Sequence, residues 1–593
     1  MSYTGFLSSS RVSKEEREFY ELKHRAAEYY RANGVPQKME AVLNSMFYDK
    51  PDDVCGYLAN YFSSFSKPPV IHRLLGKEVY DGKGHPTVQA EVLCIVSNVE
   101  KSICSAVISS HWEVPDCTAQ DADTLDEDAK RATSVARALQ WINEPLTAAL
   151  ERCEPADQRG VDKLLSDFLA ARMLEEQDRQ RREQEDGQLD DPAPAPTPPA
   201  QPPPASKEKK TSAKGKKGAT VEKPIPPAEV PEPVLPGCMA IGAVSLAVAK
   251  TAAHFKGIPL YQHISALKQG QQSTRELHIP LPMVTVLSCG KSSPGKLNLM
   301  EEIIVIPKPA QPFKQSFKVL LDLRKEITRM INANSKTGPV ANTVSDAGAL
   351  VIGYDRLEQP LDVISEASNT LGLSLGSDIH LAINCAAHKL MDYQKGKYEV
   401  STGTCKSPDE MVNVYLDLTS RYPGVIALID PLRKEDQEQW ETLYRALGSR
   451  CYLVAEAASL PICSLLAEEN LTIPGVSGLT MKQTNQTTVS DLIQITTRLE
   501  DQKCLTVIGT TDGEPCDDAL SDLAVGLGVR FVKLGGLCHG ERVTKYSRLI
   551  SIEEELAQQG ILGSTEEHEF PALEQDTRDI SKSTSPAQNN ASQ

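Results

Sequence analysis

The stretches GLTMK (478–482) and VRFVKLGG (529–536) each run through a short apolar segment, end it on a lysine and pass straight into polar or glycine-rich residues. Apolar runs of this length with such borders read as buried strands. A lysine closing a buried strand either returns the chain to solvent on its long stem or faces a site. In a parallel α/β barrel the C-terminal strand ends ring one pocket, so Lys482 and Lys533, about fifty residues apart, would point at a shared substrate.

Working outward, VIALID (425–430), CYLVAEA (451–457) and LTVIG (505–509) read as further strands, with helices over 436–447 and 491–500 between them. Strands alternating with helices predict a βα barrel. Upstream, KEVYDGKGHPTVQAEVLCIV (77–96) predicts an antiparallel pair around a Gly-His-Pro turn, and GAVSLAVAKTAAHFKGIPLYQHI (242–264) one buried, alanine-rich helix.

Composition bounds the remainder. The 593 residues are 40% hydrophobic, enough for several domains and a large core. A net charge of −17 argues against general nucleic-acid binding. The 14 cysteines include no CxxC pair and no zinc spacing, which fits a reducing compartment. MSYTGFLSSSRVSKEE (1–16) lacks the apolar core of a signal peptide, and the most apolar stretch, 237–253, is short for a membrane span and carries Lys250. A cytoplasmic protein without membrane insertion is expected. Residues 169–235 read as a charged helix and a Pro/Lys-rich insert that cannot build a core, and 561–593 as a polar tail.

Near the N-terminus, a charged helix over 15–32 is followed by Val35, Met39, Val42, Leu43 and Met46 at helical spacing. Lys50-Pro51-Asp52-Asp53 then breaks and recaps the chain before Val54, Leu58, Tyr61 and Phe62. Such short helices need a partner, either their own barrel or a second copy in a four-helix dimer. Residues 30–65 resemble the docking-and-dimerisation modules of RII regulatory subunits and the DPY-thirty type. That resemblance implies a homo-oligomer that binds an amphipathic helix of a scaffold protein.

KEVYDGKGHPTV, VSLAVAKTAAHFKGIPLYQHI and ERVTKYSRLISIEEEL (541–556) resemble, in order, segments of enolase, in its divergent sperm-type form. The resemblance implies an enolase-like (βα)8 barrel over 276–560. A smaller α+β capping domain over 68–168 and 236–275 and the docking module over 1–67 precede it. It also implies a phosphopyruvate hydratase, acting on a phosphoglycerate with Mg2+ in glycolysis, and a place in the sperm flagellum. Matched residue by residue, Lys482 falls on the catalytic base, Glu302 and Lys533 on substrate-binding residues, and Asp378 and Glu456 on metal ligands. The dianion formed when a proton leaves beside a carboxylate needs such cations around it.

The departures are as specific as the matches. The acid glutamate of the family is Ala347, a metal glutamate is Ile429, and Thr510, Thr511 and Asp512 replace the residues that hold the phosphoryl group. A histidine is missing from SCGKSSPGK (288–296), where Lys291 is a candidate substitute, and the serine-rich loop has become SSHWEV (109–114). Loss of a general acid typically costs roughly 10²- to 10⁴-fold in rate. Three readings stay open: a hydratase of reduced activity working through Lys482, an enolase-fold pseudoenzyme, and, compatible with either, an assembly protein tethered through its N-terminal helices.

Overall fold

The computed structural model describes residues 13–109, 124–189, 234–270, 276–309, 311–334, 343–458, 465–466, 474–482, 486–511, 513–564 and 570. These fall into two compact units, the helices before Val70 together with Ile95–Val99, and the rest of the chain.

In the smaller unit, helix Lys14–Ala32 opens with a reciprocal cap, Ser13 Oγ accepting from Glu16 N (3.2 Å) while Ser13 N donates to Glu16 Oε2 (3.0 Å). Gly34, at φ 62°, makes the turn into helix Val35–Asp49, and Asp53 caps helix Val54–Ser63 through Gly56 N (2.9 Å). Val42 is the one buried residue in these three helices. Met39, Leu43 and Phe47, one stripe at i, i+4, i+8, are 44%, 51% and 71% exposed.

In the larger unit, strands Val70–Tyr80, Pro86–Val96 and Val99–Val107 form an antiparallel sheet in that order. The single helix expected over 242–264 is two, Met239–Lys256 and Leu260–Gln269. Gly257 takes a left-handed φ of 64° and Pro259 has no N–H to continue the ladder, so the chain turns there.

Nine strands form the main sheet, and all but the short Leu350–Val351 make a closed barrel. Round the barrel they are Leu281–Gly290, Leu299–Pro307, Ile379–Asn384, Val425–Ile429, Tyr452–Ala455, Gly478–Lys482, Leu505–Gly509 and Phe531–Gly535, the last pairing back onto the first. The expected strands stand with small shifts of boundary, but the barrel is not all parallel. Leu299–Pro307 runs antiparallel to both neighbours. The connection 291–298 is shorter than the dozen or so residues a parallel crossover needs, so the second strand turns straight back.

The barrel is packed rather than hollow. Met283, Ile304, Ala382, Ile429, Val454, Val507 and Phe531 belong to one apolar cluster, with Phe570 packed against it. The Phe570 ring lies 4.2 Å from the His380 imidazole, which burial holds at a pKa of about 4 and therefore neutral at pH 7. Phe570→Ala is expected to cost about 2 kcal/mol in denaturant unfolding, less than the roughly 3–5 of a fully buried phenylalanine.

Candidate active site

Backbone register brings the two lysines together. Lys482 pairs with Gly509, and Gly509 with Lys533, so both stand at one level on strands separated by a single neighbour. Gly509 leaves the space between them open: a Cβ there would lie 2.9 Å from Thr480 Cγ2. Side chains alternate along each strand, which puts same-level residues on the same face. Because Leu299–Pro307 runs in reverse, Glu302 near its start reaches the same mouth, opposite Asn384 at the C-terminal end of its strand.

The four charges form one connected cluster. Lys533 Nζ lies 2.6 Å from Glu302 Oε2, and 3.3 and 3.1 Å from the two carboxylate oxygens of Glu456. Lys482 Nζ lies 3.0 Å from Glu456 Oε1. Thr285 Oγ1 donates to Glu302 Oε1 (3.0 Å) and Asn384 Nδ2 to Glu302 Oε2 (2.7 Å), fixing that carboxylate on its inner side. Glu456 is set by the loop carrying it: Asp430, in a left-handed conformation at φ 44°, accepts from the N–H groups of Glu456 (2.8 Å), Ala457 (2.7 Å) and Ala458 (3.2 Å).

Burial would lift the Glu456 carboxyl, but the ammoniums of Lys482 and Lys533 hold it at about 2. Burial opposes the ionised form of Glu302 too, and Lys533 keeps it below the ordinary value against repulsion from Glu456. For Lys533 burial pulls downward, and the two glutamates outweigh it, so its pKa is raised. The depressed carboxyl therefore contributes stability above its ordinary value of 4.5 and loses it as pH falls through about 2, while the raised Lys533 contributes fully below 10.5. The stability difference between the protein and a Glu456→Gln variant, followed by denaturant unfolding, is expected to be constant near neutrality and to shrink between pH 4.5 and 2.

Other expected site residues lie elsewhere. Asp378 precedes strand Ile379–Asn384 and so stands at the opposite end of the barrel, a six-residue strand or about 20 Å from Asn384. Its Oδ2 accepts from Ser374 N at 3.0 Å and its carbonyl from Lys308 N at 2.9 Å. Asp378 is therefore not brought together with Glu456, and the polar side chain that strand delivers to the mouth is Asn384. Ile429 is fully buried in the barrel cluster, beside Asn384 in register. Ala347 does stand at the mouth: its carbonyl accepts from Gly536 N at 2.6 Å, and it presents a methyl group where an acid was expected. Thr511 N and Oγ1 both donate to Glu514 Oε1 (2.8 and 3.0 Å). Lys291 is exposed in its turn. Asp512 and residues 110–114 lie outside the described residues.

Arg542, which the sequence reading left without a role, is buried beside the cluster. It donates to Thr510 Oγ1 (2.6 Å), Leu534 O (3.3 Å) and Asp346 O (3.2 Å). It also lines a cavity of about 350 Å³ together with Lys83, His85, Asp346, His539 and Glu541. Across this cavity Lys83 Nζ reaches Asp346 Oδ2 at 2.7 Å. Its only advance signal was its place in ERVTKYSRL, a helix start next to a strand-end lysine.

A closed eight-stranded barrel with Lys482 and Lys533 at its mouth agrees with the resemblance to enolase, and so does comparison with known proteins. The family profile described as "Enolase, C-terminal TIM barrel domain" matches residues 276–569. The chain is 50% identical over 570 residues to "Enolase 4" of Homo sapiens, covering 93% of this chain and 91% of that protein. It is 50% identical over 562 residues to "Enolase 4" of Xenopus laevis (95% and 96%) and 49% over 569 residues to "Enolase 4" of Danio rerio (95% and 96%). The chain belongs to the enolase family.

Enolases act on a phosphoglycerate and generally use Mg2+. The donors at this mouth do not fit such an ion. Among the described residues no group of three or more His, Cys, Asp or Glu side chains is placed to hold a metal. Glu302 and Glu456 are committed to ammoniums and Asp430 to three backbone N–H groups. No helix among the described residues is long and apolar enough to cross a membrane.

Proposed function

We propose that the chain is a slow phosphopyruvate hydratase, an enolase-type lyase that converts 2-phosphoglycerate to phosphoenolpyruvate and water. One observation carries the reading: Lys482 and Lys533 converge on the same carboxylate, Glu456, at 3.0 and 3.1 Å. In this reading Lys482 takes the proton beside the substrate carboxylate, and Lys533 and Glu302 hold the substrate. The rate is reduced because Ala347 offers no proton to the departing hydroxide. The test is turnover of 2-phosphoglycerate by the purified protein beside Lys482→Ala; turnover indifferent to that substitution would remove the lysine base.

A second reading, an enolase-fold body without turnover, is favoured by the same cluster, since its two carboxylates and two ammoniums already satisfy one another. In either case we assign the N-terminal helices to assembly. The uncovered stripe Met39–Leu43–Phe47 supports self-association into a four-helix dimer that grips an amphipathic scaffold helix, as a flagellar tether would. Leu43→Glu in the full chain is expected to halve the mass measured by light scattering, and an unchanged mass removes this dimer.

A further inference from the structure

We infer that the Lys533 ammonium takes the place of a divalent cation between Glu302 and Glu456, so that this barrel mouth is a built-in, metal-independent charge centre. The inference does not depend on whether the protein turns substrate over. It rests on where the donors point. Two carboxylates, one from a strand and one from the loop after another strand, converge on one Nζ at 2.6 and 3.1 Å, which is the arrangement two acidic ligands make around a shared cation.

Everything else at that level has been removed from metal service. Lys482 adds a second ammonium to these two carboxylates, and the third carboxylate nearby, Asp430, is held by three backbone N–H groups. Asn384 turns its amide nitrogen to Glu302 and its oxygen to Ala386 N (3.2 Å), so its one neutral acceptor is already engaged. Ile429, the neighbour of Asn384 in register, offers carbon only. Asp430 faces its own loop. An ammonium on a strand also differs from a bound ion in a functional respect: it stays in place at any free metal concentration, and a chelator does not remove it.

The test is metal binding by the full-length protein, with Mg2+ read as a shift in thermal unfolding against an ionic-strength control and Mn2+ read by electron paramagnetic resonance. The wild type is expected to show no saturable shift and only the spectrum of free Mn2+. Lys533→Met removes the ammonium and leaves Glu302 and Glu456 facing each other, so that variant is expected to gain a saturable stabilisation by Mg2+. At about a hundred times its Kd the metal would shift the folding constant about 100-fold. Saturable binding of either metal to the wild type that disappears in Glu456→Gln would overturn the inference, as would a folded Lys533→Met that ignores metal. Should Lys533→Met fail to fold, the Mn2+ spectrum of the wild type decides alone, bound metal overturning the inference and free metal supporting it.

Discussion

Lys533→Met should destabilise the larger unit by about 3–5 kcal/mol at neutral pH, the usual cost of leaving a buried charge without its partner. Lys533 is buried, and its ammonium touches the carboxylates of both Glu302 and Glu456. A methionine of similar length fills the space, so most of the loss is electrostatic rather than a cavity. In the variant two close carboxylates share a site and one of them must take up a proton. The deficit is therefore expected to be greatest near pH 7 and to narrow as the medium approaches pH 4.5, the ordinary value for a glutamate. Adding Glu302→Gln to Lys533→Met should recover part of the loss by removing one of the opposed charges. Chemical denaturation of the three proteins measures this; a single-variant deficit under about 1 kcal/mol would mean that the cluster is solvated like a surface pair.

The elements that could be read in advance were those whose signal is local. Lys482 and Lys533 end apolar runs, and parallel strands of a barrel convert that position directly into a place at the mouth. Glu302 lies near the start of its strand, so its place there follows only from the reversal of Leu299–Pro307, which depends on the short connection after Gly290. Asp378 shows the opposite failure. A carboxylate six positions before Asn384 looks adjacent in sequence, but a strand spends those residues crossing the barrel, and the side chain delivered to the mouth is an amide that a search for carboxylates passes over. The losses at Ala347 and Ile429 were visible as residue types, while their consequences were not: one leaves a methyl group beside Gly536, and the other joins the packed apolar cluster. Asp430 and Arg542 act through backbone N–H groups, a hydroxyl and carbonyls brought near by the fold, and no spacing rule announces them.

Lys482→Ala should reduce turnover of 2-phosphoglycerate by about 10²- to 10⁴-fold, the range a positioned general base supplies. The structure distinguishes this lysine from Lys533. Lys482 meets one carboxylate oxygen and keeps a quarter of its side chain exposed, at 24%, whereas Lys533 is clamped by two glutamates and 9% exposed. A base must lose its proton before it can accept one, and of the two lysines Lys482 is the more open to an arriving substrate. Lys482→Arg keeps the charge but not an accessible base, and should be as slow as alanine while leaving KM nearly unchanged. Lys533→Arg should instead act mainly on KM, because a planar guanidinium can still bridge Glu302 and Glu456 but places its charge differently toward a substrate carboxylate. If both arginine variants changed kcat and KM in the same proportion, the two lysines would have no separate roles, and the assignment of base and clamp would fail together.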